Sequence, residues 1–255
     1  MFESMSRPSL MWLLSEPGRA LIERSASIPF EHVTQKKQIG DGHPVMILPG
    51  FLSSQSSTKA LRKYVANLGY EVFDWGLGRN MGKLEYMELL LERLDEIYIK
   101  TGREVSIIGW SLGGVFARQL AKERPNITRQ VITLAAPFIG LSEPNNIAWI
   151  YSLLNYGKKV KDVNQTLLED LPRPATVPTT AIYSKSDGVV PWKYCIEPIE
   201  DDIHQNIEVR SSHIGMGVNL AVFAVIEDRL LYEKESWVKF RPRGIMNNRL
   251  MFPAY

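Results

Sequence analysis

Ser111 lies in the pentapeptide Gly109-Trp110-Ser111-Leu112-Gly113, after the apolar run Val105 to Ile108 and before a helical stretch, Val115 to Lys122. A serine between two glycines at a strand-to-helix turn has the form of a nucleophile elbow. So tight a turn admits only small residues two positions before and after the serine. The hydroxyl then stands free at a helix N-terminus, whose dipole favours developing negative charge. The chemistry would be nucleophilic attack on an acyl group. About one chain in ten of this length would hold such a pentapeptide by chance, so the reading depends on partners elsewhere.

A serine nucleophile needs a base and an acid that orients the base. The chain has four histidines, His32, His43, His204 and His213. Where a serine is presented on such an elbow, the acid and then the base follow it in the chain. His32 and His43 precede Ser111 and fall out. His204 ends the acidic stretch Glu200-Asp201-Asp202-Ile203 and reads as part of a solvated loop. His213 follows the strand Ile207 to Arg210, and functional loops gather at the carboxyl edge of parallel sheets. It is the candidate base. The candidate acid is Asp187, in the loop after the strand Thr179 to Tyr183, where no other carboxylate stands between Asp170 and Glu197. An oxyanion would need two backbone N–H donors. Leu112 follows the nucleophile, and Phe51 follows Pro49-Gly50 at the end of a strand.

The elements that must position these residues alternate between strand and helix, which predicts an α/β fold with a mainly parallel sheet and helices on both faces. Val45 to Leu48 reads as a buried strand, Ser57 to Leu68 as a helix, and Tyr70 to Trp75 as a strand. Lys83 to Lys100 reads as a long amphipathic helix and Glu104 to Ile108 as the strand before the elbow. Gln130 to Leu134 is a further strand and Val218 to Leu230 a helix. Ser9 to Arg24 fits an amphipathic helix with Leu10, Leu13, Leu14, Leu21 and Ile22 on one side. That side would dock on the body or touch a membrane surface. Between Pro137 and Pro178 the alternation breaks, which predicts an insertion over one end of the sheet. The tail Glu233 to Tyr255 reads as a strap over the body.

With 255 residues, 45% apolar and 23% charged, the chain can bury a sizeable core as a single domain, 1–255. A net charge of +2 gives no electrostatic case for nucleic acid. The single cysteine, Cys195, excludes a disulfide within the chain and reads as a packed apolar side chain. No signal-peptide pattern and no run of eighteen apolar residues is present, so a cytoplasmic location is expected.

Taken together, the chain resembles the α/β-hydrolases of the bacterial lipase and esterase type. The resemblance rests on Pro49-Gly50-Phe51, the elbow with Gly114, Ala135-Ala136-Pro137, the Ser186-Asp187-Gly188-Val189-Val190-Pro191 loop and Ser212-His213. Trp75-Gly76-Leu77-Gly78-Arg79-Asn80 is also similar to lipase-like members. Many members carry His-Gly where this chain has Pro49-Gly50. The resemblance implies a helical cap over residues 138–178 and a pocket lined by Trp110, Phe138, Trp149 and Tyr151. It implies a carboxylic ester hydrolase acting on small-molecule or lipid esters without cofactor or metal, and transient contact with a lipid interface. The same triad serves an acyltransferase with an alcohol or lipid acceptor, and the cleavage of amides, lactones or thioesters. A binding protein without catalysis on the same fold is the reading from another class.

Overall fold

The computed structural model describes residues 8–34, 38–139, 169–243 and 249–255. A continuous apolar run can be a strand only if both its faces are covered. Strand β1 (Pro44–Leu48) is buried at every position. Because side chains alternate along a strand, Val45 and Ile47 pack on one face of the sheet and Met46 and Leu48 on the other. The remaining elements are α1 (Leu10–Thr34), α2 (Lys59–Asn67), β2 (Glu71–Asp74), α3 (Tyr86–Thr101), β3 (Val105–Trp110), α4 (Leu112–Glu123), β4 (Thr128–Leu134), β5 (Thr179–Tyr183), β6 (His204–Glu208) and α5 (Leu220–Leu230). Short 3-10 turns cover Trp192–Tyr194 and Met216–Val218.

The six strands run in the order β2-β1-β3-β4-β5-β6, and every neighbouring pair is parallel. Helices α2 and α5 cover the face that carries Val45, Ile47, Ile108 and Ile132. Helices α3 and α4 cover the opposite face. Since all strands are parallel, their carboxyl ends share one edge, and the loops after β1, β3, β5 and β6 meet there. The tail joins the core through Phe240 and Phe252, and the backbone of Phe240 pairs with the Gln205 side chain of β6.

Two expectations change and a third lies largely outside the described residues. Helix α1 continues to Thr34 and turns its leucines outward. Leu14 is 73% and Ile22 70% exposed, whereas Glu16 on the docked side is 1% exposed. The surface beneath α1 presents backbone N–H groups, which need acceptors, so carboxylates dock there and leucines do not. His204 opens β6 and is buried, its ring held by Asp201 and the Ala175 carbonyl, where a solvated loop was expected. Most of the expected cap, including Trp149 and Tyr151, lies outside the described residues. The described ends of that segment are core: Phe138 and Ile139 at one end, Leu171, Ala175 and Val177 at the other. Among the described residues no helix is long and apolar enough to cross a membrane.

Candidate active site

The elbow is built by close approach. Ser111 has φ 51° and ψ −122°, a left-handed conformation that an ordinary side chain avoids. Its amide donates to the Leu134 carbonyl at 2.8 Å, and its carbonyl accepts from Gly114 at 2.9 Å. These bonds hold the strain in place. A Cβ on Gly109 would lie 2.3 Å from the Gly113 oxygen, and a Cβ on Gly113 would lie 2.5 Å from the Leu48 oxygen. Both contacts are with backbone, which cannot swing aside. Gly109→Ala is expected to destabilise the fold by about 3 kcal/mol or more, measured by urea denaturation. A loss under about 1 kcal/mol would mean that the turn relaxes around the extra methyl.

Leu112 is the first residue of α4, so its N–H has no carbonyl within the helix to meet. The β1 loop lies directly beside the serine: a Cβ on Gly50 would sit 3.3 Å from the Ser111 Cβ. That loop is pinned by Asn80, a buried residue the sequence did not single out for a role. Its side chain donates to the Pro49 carbonyl at 2.9 Å, and its backbone bonds Leu52 and Ser53 at 2.7 and 2.8 Å. Leu52 takes φ 57° in the resulting turn, and the Ser53 hydroxyl donates to the Gly50 carbonyl. Phe51, the second expected donor, sits within this clamped turn.

Asp187 and His213 are brought together from loops 26 residues apart. His213 Nδ1 lies 2.7 Å from Asp187 Oδ2, and both side chains are buried. The other carboxylate oxygen accepts from the amides of Val189 and Val190 at 2.8 and 2.7 Å, which fixes the plane of the carboxylate. A carboxylate partner favours the tautomer with the proton on Nδ1, which would leave Nε2 free to accept. Burial pushes the His213 pKa down, but the Asp187 charge and hydrogen bond, with the Glu16 charge behind them, raise it above the ordinary value. Ser184 and Ser186 add hydroxyl bonds to the Ser211 carbonyl and so join the two loops.

Two of the expected pocket residues do other work. The Trp110 indole donates to the His213 carbonyl at 3.1 Å and packs on Gly217, which tethers the base loop to the elbow. Phe138 is fully buried beneath the Arg118 guanidinium, 3.8 Å from its ring centre, and is a core side chain. His43 lies at the amino end of β1, between Asp41 and Ser106. Burial, with the charge of Arg129, brings it down to about 4, so it stays neutral. Cys195 is buried, and burial pushes its thiol up, away from reactivity.

The residues the sequence missed are on α1. Glu16 accepts from the amides of Gly188, His213 and Ile214 at 2.8, 3.0 and 3.0 Å. Glu23 accepts from the Ser212 amide at 2.7 Å and from the Ser211 hydroxyl at 2.9 Å. Arg19 donates to the carbonyls of Ser186 and Ser211. The available signal was spacing. Glu16, Arg19, Glu23 and Ser27 form a polar stripe at i, i+3, i+7 and i+11, opposite the leucines.

No protein-family model matches the sequence, and no curated protein matches it. Solved structures do share its architecture. One is among the metagenome-derived lipolytic enzymes LipS and LipT, with a TM-score of 0.57 and 16% identity over 76% of this chain and 93% of that chain. Aspergillus fumigatus lipase B gives 0.55 and 17% over 77% of this chain and 54% of its own. The monoacylglycerol lipase of Paleococcus ferrophilus gives 0.55 and 15% over 74% and 93%. At such identities the likeness establishes the fold: this is an α/β-hydrolase fold.

Proposed function

We propose that the protein hydrolyses carboxylic esters through Ser111, His213 and Asp187. The observation that carries this reading is the buried Asp187–His213 pair, whose base loop is tied to the strained serine turn through the Trp110 indole at 3.1 Å. His213 takes the Ser111 proton as the hydroxyl attacks the ester carbonyl. The N–H groups of Phe51 and Leu112 receive the oxyanion. His213 then protonates the leaving alcohol, and water releases the acyl group by the same path in reverse. The lipases among proteins of like fold support an ester as substrate.

An apolar acyl chain is the class we favour. Leu52 and Ile214 each stand one residue beyond an expected site residue, and they remain 46% and 47% exposed. Exposed apolar side chains on the two loops that carry the proposed site residues would offer an acyl chain surface to bury, at about 0.8 kcal/mol per methylene. The test is a series of p-nitrophenyl esters of increasing chain length, with fluorophosphonate labelling as the check on Ser111. kcat/KM is expected to rise about three- to fourfold per added methylene until the surface is filled. A profile confined to acetate would overturn the apolar acyl chain, and an unlabelled wild type would overturn the serine hydrolase itself. Acyl product captured mainly by an added long-chain alcohol would move the reading to acyl transfer.

A further inference from the structure

The polar stripe of α1 touches both loops that carry the proposed acid and base, and nothing in ester hydrolysis calls for it. We propose that Glu16 is a positioning residue, a buried carboxylate on α1 that locks the Asp187 loop to the His213 loop through the amides of Gly188, His213 and Ile214. This rests on the triad reading given above.

Three observations carry it. First, one carboxylate bridges the two loops. Gly188 directly follows the acid, while His213 and Ile214 are the base and its neighbour. A backbone N–H buried without an acceptor costs about 1–3 kcal/mol, so removing Glu16 leaves both loops seeking new partners. Second, both loops are carved to receive the helix. A Cβ on Gly188 would lie 2.5 Å from the Trp12 carbonyl, and one on Gly215 would meet the Glu23 carboxylate and the Ser212 hydroxyl. Gly188 has no positive φ to require a glycine, so what it makes room for is the backbone of α1. Third, Glu16 lies against the base itself, 3.0 Å from the His213 amide. Among the described residues, the titratable and charged groups that face His213 are Asp187, Glu16, Glu23 through Ser212, its carboxyl pushed up by burial, and Arg19, which lies 3.3 Å from Glu16. The negative charge of Glu16 holds His213 towards its protonated form, as the transition state requires.

The test compares Glu16→Gln, Glu16→Ala and Gly188→Ala with wild type in the full-length chain. Glu16→Gln keeps an acceptor but loses the charge. Glu16→Ala loses both. Gly188→Ala keeps every polar group and pushes α1 off the acid loop. kcat is expected to fall about tenfold in Glu16→Gln and about 100-fold in Glu16→Ala, with KM within about twofold. The acid limb of the kcat/KM profile moves to lower pH in both Glu16 variants, because the proton on His213 has lost a negative neighbour. Gly188→Ala lowers kcat in the same direction. A helix that merely packs would lower Tm and leave both kcat per folded molecule and the acid limb in place. Should Glu16→Ala fail to fold, the Gln and Gly188 variants carry the comparison. Fluorophosphonate labelling separates the two ways of failing. A wild type that does not label overturns the triad, and the positioning role goes with it. A wild type labelled at Ser111, with variants that label as fast and share its acid limb, overturns the role of Glu16 alone.

Discussion

Ser111→Ala is expected to lower kcat on a soluble ester by about 10⁴-fold or more, which is about 5.5 kcal/mol of transition-state stabilisation. The fold should not notice. Alanine at φ 51° carries the same backbone strain as serine, and the bonds to Leu134 and Gly114 come from the backbone. Only the hydroxyl is lost. Denaturation midpoints should therefore correspond to a change within about 0.5 kcal/mol, so the loss of rate is chemical. Some rate above that in water should persist, because the proposed oxyanion donors, the amides of Phe51 and Leu112, are untouched. The measurement is kcat on purified variant with parallel urea denaturation. A variant retaining a tenth of the wild-type rate would remove Ser111 from the mechanism.

Asp187→Asn should cost nearly as much, about 10⁴-fold in kcat at neutral pH, by a different route. The amides of Val189 and Val190 hold one oxygen of the side chain. In the variant the amide oxygen stays with those donors, so the NH₂ group faces His213 Nδ1. A donor there moves the proton of the neutral ring to Nε2, the nitrogen that must accept from Ser111. The pH profile adds a second signature. In wild type the working form of His213 is neutral and its pKa is raised, so kcat/KM falls with acid from above the ordinary histidine value. Removing the Asp187 charge lowers that pKa and shifts the acid limb down. A pH profile that superposes on wild type would show that Asp187 does not act on the base.

The two variants are expected to fail for separable reasons, and the sequence pointed to the two proposed roles unequally. The turn at Ser111 was legible because the elbow is local: five consecutive residues contain the serine and the glycines that its close approach requires. The pairing of Asp187 with His213 was legible by elimination, since few candidates follow the serine on the expected loops. The sheet was legible because apolar runs with β-branched residues alternate with helical periods, and a parallel sheet puts its carboxyl ends on one edge. The face of α1 was not legible. Five apolar residues on one side ordinarily mark the buried side, and here they mark the exposed one.

Asn80 shows the same limit from the other direction. A single asparagine in a glycine-rich stretch looks like a turn residue. Its bonds to Pro49, Leu52 and Ser53 exist only because β1 and the chain after β2 run side by side. Trp110 and Phe138 were expected as pocket walls through the resemblance to lipases and esterases. Packing committed one to the base loop and the other to Arg118.

By itself, then, the sequence determined the parallel α/β order and the serine turn, and it narrowed acid and base to one residue each, because those depend on periodicity and neighbours along the chain. The tertiary structure alone decided what holds them. Glu16, Asn80 and Trp110 act through hydrogen bonds to the backbone of distant loops. A backbone N–H or C=O looks the same at every position of a sequence, so its need for a partner becomes visible only when folding buries it.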